Sequence, residues 1–235
     1  MKTVDVIIPT YKPTKKLMKI ISYLEKQSYP VRNIILINTE EKYFTAFFYG
    51  TRFLEQYSNV IVRHISKYEF DHGATRRFGV SLSDADYFIC MTDDAVPMDD
   101  NLVEKLLQPL LDGKAQLAYA RQCVGRKCSD IERFSRKFNY PEESYIKSKD
   151  DIEKRGIKTY FCSNVCAAYN RAVYDKLGGF VKHTIFNEDM LYAAKLIQSG
   201  GKIAYVAEAK VKHYHRYTNF QQLQRNFDLG VSQAK

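Results

Sequence analysis

Short apolar runs alternate with helix-patterned segments through the first half of the chain, and no other feature narrows the possible folds as much. Val4-Asp5-Val6-Ile7-Ile8 stops at Pro9, Ile34-Ile35-Leu36-Ile37 stops at Asn38, Val60-Ile61-Val62 starts a third run, and Tyr87-Phe88-Ile89-Cys90-Met91 makes a fourth. Runs this short and this continuous suit strands covered on both faces of a parallel sheet. Between them, Leu17, Ile20, Ile21 and Leu24 recur on one helix face, with Pro13 expected in the first turn. Residues 43–57 and Gly73 to Ser83 read as further helices, and Leu102, Leu106 and Leu110 mark the next. The pattern predicts an α/β protein, a mostly parallel sheet with helices on both faces. In such sheets ligands sit beyond the carboxyl ends of the strands. That rule singles out Pro9-Thr10-Tyr11, Asn38-Thr39-Glu40 and Thr92-Asp93-Asp94.

The second half changes character. Residues 121–158 are charged and irregular, with a helix expected near 142–155, and Tyr160 to Tyr169 reads as strand-like. Asn187 to Ser199 reads as a helix ended by Gly200-Gly201, residues 203–206 and 209–214 as two short antiparallel strands, and 218–229 as a last helix. The expected organisation is two halves, 1–120 and 121–235, of one compact unit.

Bulk properties exclude several classes. With 45% apolar and 27% charged residues the chain is neither disordered nor fibrous. No stretch approaches the roughly 18 apolar residues of a membrane span, and Met1 to Asp5 begins no signal peptide, so a cytoplasmic protein is expected. Five cysteines suit that compartment. Cys123, Cys128, Cys162 and Cys166 have spacings that could pass for zinc half-sites, but their surroundings read as a basic loop and a buried strand. The net charge of +9 is spread over the second half rather than packed into an arm. An anionic membrane surface fits it better than nucleic acid.

Four polar clusters could carry chemistry. Asp93-Asp94 at a strand end would hold together best around a divalent cation, and would otherwise cap the following helix. Glu188-Asp189 opens a helix and offers a general base or a cap. His213 and His215 alternate onto one strand face, where imidazole could complete a metal site. In Phe70-Asp71-His72-Gly73-Ala74-Thr75-Arg76-Arg77, a glycine-led helix start with Arg76 one turn in suits a diphosphate, the acceptor edge of a pyrimidine or a surface ion pair.

Their order along the chain resembles the family 2 glycosyltransferases of the GT-A (Rossmann-like) fold, from Val4 to about Gly230. Val6 to Tyr11 resembles the family's opening strand and nucleotide loop, Thr92-Asp93-Asp94 its metal-binding segment, and Phe161 to Ala168 its donor-and-acceptor strand. Leu177-Gly178-Gly179-Phe180 followed by Asn187-Glu188-Asp189 resembles the stretch ending in the catalytic Asp, and Val211-Lys212-His213 the late metal-binding His. Phe70 to Arg76, Arg121-Gln122 with Phe138 to Pro141, and Arg225 to Val231 are similar to the bacterial rhamnosyltransferases in particular. Asn38-Thr39-Glu40 departs from the usual Asp pair at that strand exit.

The resemblance implies an inverting, metal-dependent transfer of a sugar, L-rhamnose from dTDP-β-L-rhamnose, onto a lipid-linked or oligosaccharide acceptor of surface polysaccharide. A UDP-sugar donor is the alternative. It implies Asp189 as the base and Asp94 with His213 as ligands of Mg²⁺ or Mn²⁺. Pro9, Thr10, Tyr11, Asn38, Glu40, His72, Arg76 and Asp93 would hold the nucleotide donor. Arg121, Gln122, Asn164, Glu188 and His215 would face the donor sugar and acceptor. It also implies a peripheral enzyme at the inner face of the plasma membrane, and a C-terminal helical extension beyond this sequence. A nucleic-acid-binding protein and a nucleotidyltransferase are the competing classes. The first would set four carboxylates against phosphates, and the second needs a glycine-rich basic loop that Thr10-Tyr11-Lys12-Pro13 does not supply.

Overall fold

In the computed structural model, which describes residues 1–125, 128–184, 186–214 and 218–233, the four apolar runs become β1 (Val4–Tyr11), β2 (Asn33–Thr39), β3 (Val60–Ile65) and β4 (Tyr87–Met91). The second half adds β5 (Val96–Pro97), β6 (Leu117–Cys123), β7 (Tyr145–Lys147), β8 (Cys166–Asn170) and β9 (Ile203–Lys212). Among the described residues all nine join one sheet, ordered β3-β2-β1-β4-β8-β6-β9-β5, with β7 paired to β9. β1 to β4 run parallel, as do β6 and β9, and β8 is inserted antiparallel between β4 and β6.

Successive side chains of each central strand enter opposite cores, which is why these runs lack polar alternation. Val4, Val6 and Ile8 of β1 meet α1 (Lys15–Leu24) and α4 (Leu102–Leu111) in one core, while Ile7 joins the other. That second core is aromatic: Phe88, Tyr119, Tyr169 and Tyr205 pack beneath α3 (His72–Ser81) and α8 (Glu188–Gln198). Each fully buried aliphatic contributes about 1.5–3 kcal/mol. Gly79 lets α3 close on the sheet, since a Cβ there would fall 2.4 Å from Ile7 Cγ2.

Several boundaries differ from expectation, for physical reasons. β1 continues through Pro9 to Tyr11, because β4 leaves the ladder at Ile7 and proline is tolerated where one neighbour is gone. Pro13 precedes α1, whose cap is Thr14, its hydroxyl accepting from the Lys16 N–H. The helix expected over 43–57 ends early: α2 (Glu41–Phe48) is followed by Gly50 at φ +69° and a single 3₁₀ turn, Leu54–Gln56. The helix expected near 142–155 is instead β7, a 3₁₀ turn capped by Ser148, and α6 (Ile152–Arg155). The long helix of that region lies earlier, α5 (Asp130–Asn139), capped by Ser129. Of 160–169, only Cys166 onward is strand, and Asn170 then caps the short α7 (Arg171–Lys176). The two strands expected at 203–206 and 209–214 are one, β9, and α9 (Asn219–Gln233) follows. His215 lies outside the described residues, so its sharing a face with His213 does too. No described helix is long and apolar enough to cross a membrane.

Candidate active site

A cleft of about 440 Å³ opens beyond the carboxyl ends of β4, β6 and β9, where the topology predicts a ligand site. It gathers His72, Arg76, Asp93, Asp94, Gln122, Asn164, Glu188, Asp189 and His213 from six separate elements or loops. A larger groove of about 610 Å³ between α4 and β9 contains none of these residues. The smaller cleft is the one that gathers the titratable side chains.

The parallel strands fix the acidic end. β4 stops at Met91 and delivers Asp93 and Asp94 at its exit. Thr10, at the exit of β1, donates to Asp93 Oδ2 at 2.7 Å. Burial and the neighbouring Asp94 charge raise the Asp93 pKa above the ordinary carboxylate value, against the pull of the Thr10 hydrogen bond. Asp94 accepts from the Thr92 hydroxyl at 2.9 Å and lies 3.9 Å from Lys16 Nζ. His213 follows β9 and brings Nε2 within 3.4 Å of Asp94 Oδ1.

Glu188 and Asp189 occupy the first turn of α8, entered through Asn187 at φ +68°. Asn164 holds both carboxylates: its backbone N–H donates to Asp189 Oδ2 and its side-chain amide to Glu188 Oε1, each at 2.9 Å. The Tyr169 hydroxyl, donating to Asn164 Oδ1 at 2.7 Å, fixes that amide in turn. Burial and the adjoining Glu188 charge push Asp189 up to about 7. Burial would also raise Glu188, but the Arg76 guanidinium and the Asn164 amide outweigh it and hold Glu188 below its usual value. The environment separates two adjacent carboxyls into an ionised partner and a proton acceptor that titrates near neutrality.

Other predicted residues are engaged by neighbours within the fold or lie outside the cleft lining. The Gly73 and Ala74 N–H groups at the start of α3 are not free for an anion, because Asp71 caps the helix, accepting from them at 2.9 and 2.8 Å. Arg76, expected on a diphosphate, is committed to Glu188 at 3.1 Å. Asn38 is fully buried with its amide nitrogen 2.9 Å from His64 Nδ1, so it presents no atom to the cleft. Glu40 accepts from Lys67 N at 2.9 Å beyond the cleft lining, and Arg121 lies on Glu142 at 3.0 Å. Pro9, Thr10 and Tyr11 border the acidic end without lining the cleft. Tyr11 is exposed and meets Tyr43 edge-on at 5.6 Å, with Lys12 near both rings.

Arg136 lines the cleft without having been anticipated, and Tyr140 and Ser163 line it from the segments Phe138 to Pro141 and Phe161 to Ala168 singled out in the sequence. Arg136 and Tyr140 belong to α5 and its C-cap, in the stretch read as irregular. The signal that could have found Arg136 is Ser129-x-x-Glu132, a capping pattern that Ser129 fulfils by accepting from Glu132 N. Among the described residues no group of three or more His, Cys, Asp and Glu side chains is arranged to hold a metal ion. A carboxylate and an imidazole 3.4 Å apart still fit Mg²⁺ or Mn²⁺, which fill their remaining positions from ligand oxygens and water.

Sheet order, cleft position and divided carboxyls together define an α/β enzyme of the GT-A kind. The glycosyl transferase family 2 model matches residues 5–178. The O-antigen chain rhamnosyltransferase RfbN of Salmonella typhimurium is 38% identical over 232 residues, covering 98% of this chain and 72% of that protein. The O-antigen chain rhamnosyltransferase WbaN of Salmonella anatum is 39% identical over 236 residues, covering 100% and 73%. Among solved structures, S. aureus TarS 1-349 superposes with a TM-score of 0.67 at 14% identity, over 89% of this chain and 59% of that one. The mannosyltransferase PcManGT from Pyrobaculum calidifontis, in complex with GDP-Man and Mn²⁺, gives 0.67 at 14%, over 95% and 60%. The chain thus spans about three fifths of those two solved chains, and the likeness to them shows the fold. This chain belongs to glycosyl transferase family 2 and is a glycosyltransferase.

Proposed function

We propose that this glycosyltransferase moves L-rhamnose from dTDP-β-L-rhamnose to a saccharide hydroxyl of a growing surface polysaccharide, with inversion. The names and identities of the two Salmonella relatives support the sugar. The observation that carries the chemistry is a half-buried Asp189, raised to about 7 by its surroundings, in the same cleft as the Asp94–His213 pair.

Asp189, ionised, takes the proton of the acceptor hydroxyl. The hydroxyl oxygen bonds to the anomeric carbon as the bond from that carbon to the diphosphate oxygen breaks, and dTDP leaves with the electron pair. Attack opposite the leaving group turns the β-linked donor into an α-rhamnoside. Asn164 keeps Asp189 aimed through the backbone bond described above. Asp94 and His213 would hold Mg²⁺ or Mn²⁺, whose charge offsets that of the departing diphosphate. Arg136 adds positive charge in the same cleft, and Asp93 with Thr10 and Tyr11 would receive the nucleoside. Gln122, His72 and Glu188 border the space left for sugar and acceptor.

The acceptor reading is a lipid-linked saccharide at an anionic membrane surface. It is supported by the spread of positive charge and by the exposed apolar residues Ile131, Phe134 and Phe138 of α5.

Incubation with dTDP-β-L-rhamnose, a rhamnose-terminated or mannose-terminated oligosaccharide and Mn²⁺, with dTDP release measured, tests the donor. Turnover of UDP-sugars in place of dTDP-rhamnose would transfer the assignment to the alternative donor class.

A further inference from the structure

Asp71 divides its two carboxylate oxygens between two elements. Oδ1 accepts from the Gly73 and Ala74 N–H groups and caps α3, while Oδ2 accepts from the Thr184 N–H at 2.9 Å. A helix cap needs only the first oxygen, and serine or asparagine would supply it equally well. The second oxygen holds a residue 113 positions further along the chain. Thr184 lies in the segment between α7 and α8, which leads straight into Glu188 and Asp189. Among the described residues that segment contains no helix or strand, and His183 and Asn187 turn through φ +65° and +68°. Backbone of this kind persists where its surroundings hold it.

The first turns of α3 do the holding. Arg77 Nη1 donates to Phe180 O at 3.1 Å and to Gly178 O, where the segment begins. Gly73 lets the two backbones touch, since a Cβ there would fall 2.0 Å from Val181 O. Asp71 then takes Thr184, the His72 and Phe186 rings meet at 5.1 Å, and Arg76 pairs with Glu188. The segment thus runs down α3 from Arg77 past Gly73 to Asp71, and returns past His72 to Arg76. The Asp71–Thr184 bond sits at its turning point, and α8 starts from the returning limb.

We propose that Asp71 is a positioning residue for Asp189: its Oδ2 pins the turning point of the 178–187 segment to the start of α3 and so fixes where α8 begins. The inference rests on the reading of Asp189 as the base. The Phe70 to Arg77 motif then serves the catalytic carboxyl rather than an anion at its N–H groups. Reaction geometry is steep, a displacement of about 1 Å costing about 10²-fold in rate. A pinned turn gives an irregular segment that precision.

Asp71→Asn separates the two oxygens. Two N–H groups on the capping side keep the amide oxygen there, and the amide nitrogen then faces the Thr184 N–H, donor against donor. In the full chain, hydrogen exchange over 180–187 should speed up by about tenfold or more, with exchange over β1 and β2 unchanged. The Asp189 carboxyl, followed by ¹³C NMR and assigned by its loss in Asp189→Asn, should titrate near 7 in wild type. In Asp71→Asn it should move down toward the ordinary carboxylate range as it loses burial. There kcat should fall about 10–10²-fold with dTDP affinity unchanged. Gly73→Ala alters no charge and puts a better helix former in α3, yet it should loosen 180–187 and lower the Asp189 titration in the same way. It serves alone if Asp71→Asn fails to fold. Unchanged exchange over 180–187 overturns the proposal. So does faster exchange that leaves the Asp189 titration in place, or leaves kcat in place while Asp189→Asn is inactive. Loosened exchange and a shifted titration beside full turnover by Asp189→Asn would instead fault the base reading and leave the Asp71 clasp standing.

Discussion

Arg76 Nη1 lies 3.1 Å from Glu188 Oε1, and the two side chains keep only 7% and 6% of their surface. Removing one partner from such a pair leaves a charge without compensation in a medium that solvates it poorly, at a cost of about 3–5 kcal/mol. Arg76→Met should therefore lower the unfolding free energy by about 3 kcal/mol in a urea titration. Arg76→Met with Glu188→Leu should recover a large part of that loss. A single variant as stable as wild type would show that the pair carries no such weight.

The same pair sets the pH dependence. Asp189 can act as a base only when ionised, and its surroundings raise it to about 7. Turnover should rise with pH through about 7 and level off above it, with the two carboxyls titrating as a unit. Glu188→Gln removes the adjoining negative charge and frees Arg76 to favour the ionised form of Asp189. Both effects lower the pKa, so the acid limb of the kcat profile should shift toward lower pH. A limb that stays in place, or shifts upward, would mean that another group limits the rate.

If Asp189 takes the acceptor proton, Asp189→Asn keeps its size but cannot accept. General-base action contributes about 10²–10⁴-fold, and kcat should fall by that factor. Binding of dTDP, measured by calorimetry, should stay close to wild type, since no described contact ties Asp189 to the nucleotide end. Retained turnover in this variant would remove Asp189 from the role.

Asp86 ties down the chain start: its Oδ1 accepts from Lys2 Nζ at 2.7 Å, and its Oδ2 from Thr3 N at 2.9 Å. The Lys2 hydrogen bond, followed by that from the Thr3 N–H, lowers its pKa to about 2. A carboxyl whose folded pKa lies below its unfolded value stabilises the fold above about pH 4, and that contribution disappears as pH falls through about 2. The side chain is about one third exposed, so screening leaves about 1 kcal/mol. Asp86→Asn should be less stable than wild type by that amount at pH 7 and nearly equal to it near pH 2, as read from urea midpoints.

What was legible in the sequence follows from where side chains are forced to be apolar. β1, β2 and β4 were readable because both faces of each strand are covered, so Val6-Ile7-Ile8 and Ile34-Ile35-Leu36-Ile37 had no room for polar alternation. Asp93, Asp94 and His213 stand out in the sequence because they follow such elements, and Asp189 because it opens a helix. Strand order was not, since nothing local in Cys166–Asn170 says that it inserts antiparallel between β4 and β6. The gap between the two strands expected around 207–208 was a real irregularity, the register jump of β9, taken for a break. At the start of α3 the N–H groups that the glycine-led pattern offers to an anion are taken by Asp71, a helix cap that the same sequence equally permits. Commitments such as Arg76 to Glu188 or Asn38 to His64 join positions far apart in the chain and exist only once the sheet has formed.

Helix α5 divides its surface three ways, and the outward division yields the last prediction. Arg136 and Asn139 line the cleft, while Ile131, Phe134 and Phe138 are 67%, 71% and 60% exposed. Phe134 and Phe138 stack at 6.2 Å, and Lys158 sits 3.3 Å from the Phe138 ring beside the exposed Ile157. Arg133 and Lys137 occupy the remaining exposed side of the helix. An apolar stripe bordered by cations suits the boundary of an anionic leaflet, where each Lys or Arg contributes about 1 kcal/mol and rings enter the acyl edge. The protein should co-float with vesicles rich in phosphatidylglycerol, bind purely zwitterionic vesicles more weakly, and be released by salt. Phe134→Ser with Phe138→Ser should cut partitioning by tenfold or more, given about 1.5–3 kcal/mol for burying one such ring. Equal partitioning of wild type and this variant would place any membrane contact elsewhere on the molecule.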